Sequence, residues 1–442
     1  MRGIYVTSPR TTITANQNSA ITITFSHGIG IIPASVSITA HSYGNGLLVP
    51  SFTLGTSGPD SVAWTWNNPV LGQSIVVSAK ALQDTEELVE RPIGILSIPS
   101  VETTNIVYVA DYGAVGSGSD ETTSLQKAID AVVASGGGIV DFDAVTYVFT
   151  TLTIDASKQV WLRGSGWGHN TAADDGGTVL SHSGTGNGIV VGTTAEDRTC
   201  DVRIMGLRLQ GNGTDGDAIR ALRTHSMRIE GCRVWGWGGD GIEFDRAYAN
   251  WVLNNYVNNN TGSGFKANNG NDLTVIDGNR FLSNTANGIH FTNGSSSGSR
   301  ITNNDIEGNA IGIQFDAGSS SEQAESILIG WNYFESQTGK NMSLGEDSSS
   351  RFLDALLLVG NQINAGTVSA ATNAVALDRC RYPILIGNVF STSNLTVTDN
   401  TTGGTLLGNY LNSSTVPTTG WGRFDLSDAA ITRIGGALPK IE

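Results

Sequence analysis

The sequence predicts an all-β fold. It is a parallel β-solenoid with three short strands per coil and an N-terminal capping helix, preceded by a small β-sandwich. Three observations carry this reading. A pattern with a mean period of about 25 residues runs through the second half of the chain. Glycine accounts for 56 of 442 residues against 10 prolines, which suits many tight turns rather than a flexible low-complexity chain. Apolar residues flank every repeat anchor on both sides.

Residues 1–100 stand apart. Ala20-Ile21-Thr22-Ile23-Thr24-Phe25 and Ser35-Val36-Ser37-Ile38-Thr39-Ala40 alternate as half-buried strands do, without the longer period. They read as a β-sandwich, with a linker between Glu90 and Thr104 marked by Pro92 and Pro99. The solenoid is expected over 101–412. It opens at Asp111-Tyr112-Gly113-Ala114-Val115-Gly116, followed by a helix with apolar positions 125, 128, 129, 132 and 133 that Gly136-Gly137-Gly138 stops. A helix there covers the open core and unpaired edge of the first coil.

The anchors are Leu207, Cys232, Asn255, Asn279, Asn304, Asn332, Asn361, Asn388 and Asn409, spaced by 25, 23, 24, 25, 28, 29, 27 and 21 residues. Three residues before each stand Ile204, Ile229, Val252, Ile276, Ile301, Ile329, Leu358, Leu385 and Leu406. Two residues after stand Leu209, Val234, Val257, Phe281, Ile306, Phe334, Ile363, Phe390 and Leu411. So short a repeat suits one coil of strands stacked about 4.8 Å apart. The asparagines are expected to tolerate a left-handed corner and to hydrogen-bond from coil to coil. A third strand reads Gly241-Ile242-Glu243-Phe244, Gly264-Phe265-Lys266-Ala267, Gly288-Ile289-His290-Phe291 and Gly312-Ile313-Gln314-Phe315, with alternate residues facing out. Residues 413–442 lose the period and read as a cap or an oligomerisation segment.

The net charge of −15 argues against nucleic acid as the main partner. Three cysteines, Cys200, Cys232 and Cys380, are too few for a disulfide framework. No apolar run reaches membrane-spanning length. Met1-Arg2-Gly3-Ile4-Tyr5 lacks a following apolar stretch, so no secretory signal is visible.

The opening motif, with Asp120-Glu121-Thr122, Gly136-Gly137-Gly138-Ile139-Val140-Asp141-Phe142 and Thr146-Tyr147, resembles the pectate-lyase-like right-handed parallel β-helix superfamily, above all bacteriophage tailspike depolymerases. The resemblance spans about residues 105–412. It implies a homotrimer on a virion tail that meets its substrate extracellularly and binds or cleaves a bacterial surface polysaccharide. It also implies a groove along the third strand.

The outward stack there is Arg220, Glu243, Lys266, His290 and Gln314, with Asp245, Asn268, Thr292 and Asp316 beside it. Glu243 with Asp245 or Asp240 forms a candidate glycosidase pair, one as acid and the other as base or nucleophile. Lys266 and His290 suit a lyase instead, as charge stabiliser and base. Trp235 and Trp237, in the turn before the strand, either stack on sugar rings or pack as structure. Arg233, Gln314 and Asp316 are further candidate substrate contacts. Arg208, Arg233, Tyr256 and Arg280 form another outward stripe, suited to an anionic glycan or an intersubunit face, and Glu307 with Glu335 is a rival carboxylate pair. Asp174-Asp175 and the pair Asp215 and Asp217 lack the loop spacing of a calcium site. No cofactor is expected, and glycan-binding or structural roles without catalysis remain alternatives.

Overall fold

The computed structural model describes residues 105–168, 177–194, 198–199, 201–292, 296–316, 324–345, 353–364, 375–391, 395–397, 401, 403–411 and 422–427, together with eight strands between Ile21 and Ser97. The chain divides into two compact units, Met1–Thr104 and Asn105–Glu442.

In the first unit, Ile21–Ser26 and Ser51–Ser57 pair antiparallel with Ser61–Asn67. A second three-stranded antiparallel sheet joins Ile38–Thr39, Ser74–Ala79 and Arg91–Ser97. The stretch read as linker thus carries a strand from Arg91, and Pro92 did not prevent pairing. Pro92 sits near the end of that pairing, where a missing N–H costs least.

The second unit is a right-handed parallel β-solenoid of about nine turns. The first strands of successive coils pair in register, Ile204 with Ile229, then Val252 and Ile276. The second strands align Leu209, Val234, Val257 and Phe281. Third strands build a ten-stranded sheet from Leu152–Ile154 to Leu395–Val397. The eighteen apolar positions flanking the anchors form two inward ladders. All but Leu411, whose side chain lies outside the described part, are at most 1% exposed. Gly422–Ser427, in the segment expected to cap the solenoid, adds a parallel rung to Thr405–Leu411.

The anchor asparagines hydrogen-bond as expected. In each step from Asn255 to Asn388, the backbone N–H and the Nδ2 of one asparagine donate to Oδ1 of the next, at 2.9–3.0 Å. The left-handed corner is a different residue. It is the one before the anchor that has positive φ, as at Gly231, Asn254, Gly278, Asn303 and Trp331. The anchors are asparagine for the amide ladder rather than for the backbone. A second ladder, not foreseen, runs Asn260, Asn284, Asn309 and Gln337, five residues after successive anchors.

The cap explains the opening motif. The helix Thr122–Ala134 buries Leu125, Ala128, Ile129 and Val132 over the first coil. Glu121, 6% exposed, accepts the backbone N–H groups of Val115, Gly116 and Ser117 at 2.9–3.2 Å, fixing the loop that leads into the helix. Gly138 (φ 149°) must be glycine, because a Cβ there would lie 2.1 Å from the Asn105 carbonyl. Glu121→Ala strands three donors at once. We expect it to lower stability by about 2–4 kcal/mol, read as a shifted urea midpoint with an unchanged slope.

Candidate functional site

The third-strand sheet places Arg220, Glu243, Lys266, His290 and Gln314 in one outward column, each beside the next. Inward neighbours fix that orientation: Ile242 and Phe244 are fully buried on either side of Glu243. Glu243 points away from the core, yet it is not the solvated carboxylate expected of an outward position. Its side chain is 5% exposed, because Arg220 and Lys266 on the flanking coils lie over it.

Arg220 Nε stands 3.1 Å from Glu243 Oε2, but its N–H is not aimed at a hydrogen-bond acceptor. The contact is an ion pair without good hydrogen-bond geometry. Lys266 Nζ lies 3.8 Å from Glu243 Oε1 and 3.3 Å from Asp240 Oδ2. Sharing one ammonium, the Glu243 and Asp240 oxygens are no more than about 7 Å apart.

Asp217 completes the cluster, and the sequence reading had not placed it there. It lies three residues before Arg220, whose Nη1 is 3.8 Å from Asp217 Oδ2. Asp217 and Asp240 each use one oxygen for architecture. Asp217 Oδ1 accepts the Asp240 N–H at 2.8 Å, and Asp240 Oδ1 accepts the Ser263 N–H at 2.6 Å. Their Oδ2 atoms face the cations. The usable sequence signal was the spacing: 217 and 240 are 23 residues apart, one coil.

Burial, then the hydrogen bond and negative charge of Asp217, push Glu243 up to about 7, against the pull of Arg220 and Lys266. Glu243 is therefore held well above the usual carboxylate range although it sits between two cations. Burial opposes the charge on Lys266, but Asp240 and Glu243 outweigh it and raise its pKa.

Asp245 takes a different position from the one expected of a partner for Glu243. It accepts a hydrogen bond from Asn269 Nδ2 at 3.0 Å and lines a cleft of about 150 Å³ with Thr194, Leu222, Arg223 and Arg246. Further along the column, His290 Nε2 lies 2.6 Å from Asp316 Oδ2, and Gln314 Nε2 donates to Asp316 Oδ1 at 2.5 Å. Gln314 thus orients Asp316.

The tryptophans correct the sequence reading. Trp237 is fully buried, and its indole N–H donates to the Leu209 carbonyl at 3.2 Å. It follows Cys232 by five residues, the offset of the second amide ladder, and its backbone N–H donates to Asn260 Oδ1. That offset marks it as interior, so it cannot stack on a sugar. Its ring covers His182, whose Nδ1 lies 3.2 Å from Asp215 in a fully buried pair. Trp235 lies on the second strand of its coil, Arg233–Trp235, not in the turn before Glu243. Arg233 is buried there, 5% exposed, under aromatic rings, and does not share the Glu243 column.

The rival pair sits on the second-strand sheet too. Burial, then the hydrogen bond and charge of Asp305 and the charge of Glu335, push Glu307 up to about 7. Asp174 and Asp175 lie outside the described residues, as does Cys200. Cys232 and Cys380 are buried free thiols.

Residues 167–352, which hold this column, match the profile of a family described as periplasmic copper-binding protein (NosD). No curated protein matches by sequence. Among solved structures, the A-module of the mannuronan C-5 epimerase AlgE4 of Azotobacter vinelandii aligns over 73% of this chain and 97% of its own, at 16% identity and a TM-score of 0.50. A hyperthermoactive exopolygalacturonase from Thermotoga maritima aligns over 74% of this chain and 92% of its own, at 10% identity and 0.50. The Dettilon tailspike protein (gp208) aligns over 74% of this chain and 69% of its own, at 15% identity and 0.43. At these identities the likeness to the first two establishes the fold alone: a right-handed parallel β-solenoid.

Proposed function

We propose that the chain is an endo-acting hydrolase of a bacterial surface polysaccharide, with its cleavage site on the third-strand column. The observation that carries this is the carboxyl cluster: Glu243, buried against Asp217 and raised to about 7, lies with its oxygens within about 7 Å of those of Asp240, whose Oδ2 is 3.3 Å from Lys266 Nζ. Two carboxyls in unlike environments are what glycosidic cleavage requires. Glu243 donates its proton to the leaving oxygen. Asp240 activates water or attacks the anomeric carbon. Asp217 acts through Glu243, since its charge keeps that proton in place. Arg220 and Lys266, each about one-third exposed, turn aside to admit the chain and then hold it. Asp245, at the cleft beyond, contacts the substrate further along.

A second reading rests on the His290–Asp316 contact. Asp316 orients His290 as the base, and Lys266 stabilises the carbanion formed next to a uronate carboxylate, so that elimination replaces hydrolysis.

Two of the solved relatives bear the names of carbohydrate-active enzymes, which is in keeping with either reading. Attachment to a virion tail as a homotrimer follows from the opening motif's resemblance. Among the described residues no group of His, Cys, Asp or Glu side chains is arranged to hold a metal ion, so the residues present do not fit a copper site.

The test is incubation with purified capsular and O-chain polysaccharides. Hydrolysis yields reducing ends without near-ultraviolet absorbance. Elimination yields the same ends with an absorbing unsaturated sugar. Intact polymer throughout, from hosts whose glycan the protein binds, would leave a binding protein and end both catalytic readings.

A further inference from the structure

The second-strand sheet carries a feature that the cleavage reading does not use. Its outward column reads Arg208, Arg233, Tyr256, Arg280, Asp305, with each residue beside the next on the adjoining coil. Arg208 and Arg233 are therefore like charges on neighbouring rungs about 4.8 Å apart.

Aromatic rings fill the space around them. The Arg233 guanidinium lies 5.2 Å from the Tyr256 ring and 5.9 Å from each of the Trp167 and Trp235 rings. Arg208 lies 5.5 Å from Trp235, and Arg280 lies 5.2 Å from Tyr256. Trp167 meets Tyr256 edge-on at 6.2 Å. The cations flank and underlie one aromatic surface. Arg280 is anchored by Asp305, at 3.0 Å, which ends the basic run. Arg208 Nε is buried and has no hydrogen-bond partner among the described residues. All this stands on a protein of net charge −15, where such a patch is locally reversed in sign.

We propose that this face is a binding site for an acidic oligosaccharide, separate from the Glu243 column. Sugar rings stack on Trp235, Tyr256 and Trp167, and their carboxylate or sulfate groups meet Arg208 and Arg280, with Arg233 supplying positive charge from beneath. From Arg208 to Arg280 is three rungs, about 14 Å, room for a short run of sugars rather than one. The site does not rest on the cleavage reading: it binds whether or not Glu243 cleaves.

The experiment titrates the full chain with oligogalacturonate, with a sulfated galactan oligosaccharide and with a neutral malto-oligosaccharide, following tryptophan fluorescence and heat of binding at physiological salt. The expected result is binding of one or both acidic probes, weakening as salt rises, with the neutral probe at least tenfold weaker. The better acidic probe tells carboxylate from sulfate. Arg208→Gln and Trp235→Ala should each weaken binding at least tenfold with unchanged circular dichroism. Glu243→Gln, which removes the cleavage acid, should bind as the parent does. Binding untouched by both patch variants, equal affinity for the neutral probe, no binding of either acidic probe, or equal affinity for a single-stranded oligonucleotide would each overturn the proposal.

Discussion

Glu243→Gln should lower glycan cleavage by about 10²–10⁴-fold, the usual contribution of a positioned general acid, while the solenoid stays folded. Glutamine keeps the shape and can donate its amide N–H to Asp217, but has no acidic proton to give. The pH profile follows from the same group. The acid form is needed, and Glu243 holds its proton up to about 7, so activity should fall as pH rises through that value. Asp217→Asn removes the neighbouring negative charge, so Glu243 loses its proton more readily and the decline should move to lower pH. Asparagine retains the oxygen that accepts the Asp240 N–H, so the turn should survive. A pH–rate profile with reducing-end release checks both variants. Undiminished cleavage by Glu243→Gln would remove Glu243 from the mechanism. An unmoved descending limb in Asp217→Asn would remove Asp217's part in it.

The second large effect concerns the amide ladder. Asn304 sits in its middle. Its Oδ1 accepts the N–H and the Nδ2 of Asn279 at 2.9 and 3.0 Å, and its Nδ2 donates to the Ile276 carbonyl at 3.0 Å and to Asn332 Oδ1 at 2.9 Å. Asn304→Ala leaves the buried backbone N–H of Asn279 without its acceptor and removes a donor from the Ile276 carbonyl, while the Asn279 Nδ2 keeps the Val252 and Asp277 carbonyls. At about 1–3 kcal/mol for each group left unmet, we expect a loss of about 2–6 kcal/mol. That is a large share of an ordinary folding free energy. Urea unfolding followed by far-ultraviolet circular dichroism measures it, with the exposed Arg300→Ala as a control expected near zero. A loss below about 1 kcal/mol would mean that the ladder is not a principal support of the stack.

The winding of the solenoid was legible because every coil repeats one local demand. Apolar residues three before and two after each anchor can all be buried only if coils stack in register, and the column Arg220, Glu243, Lys266, His290, Gln314 follows from that register alone. The same arithmetic, carried five residues past the anchors, would have placed Trp237 inside with Asn260 and Asn284. It was missed because a tryptophan breaks the run of amides by which that ladder is visible.

Sequence by itself determined which residues share a column and which side of the strand each one faces, because both are fixed by periodicity along the chain. Only the tertiary structure decided what each side chain meets across columns. It set Glu243 against Asp217 and under Arg220 and Lys266, sent Asp245 to a neighbouring cleft, and gathered Trp167, Trp235 and Tyr256 around Arg233. Those contacts depend on turn shape and side-chain rotation, which vary from coil to coil and leave no period to read. Burial then fixed the chemistry, since an outward carboxylate covered by its neighbours keeps a proton that a solvated one would release.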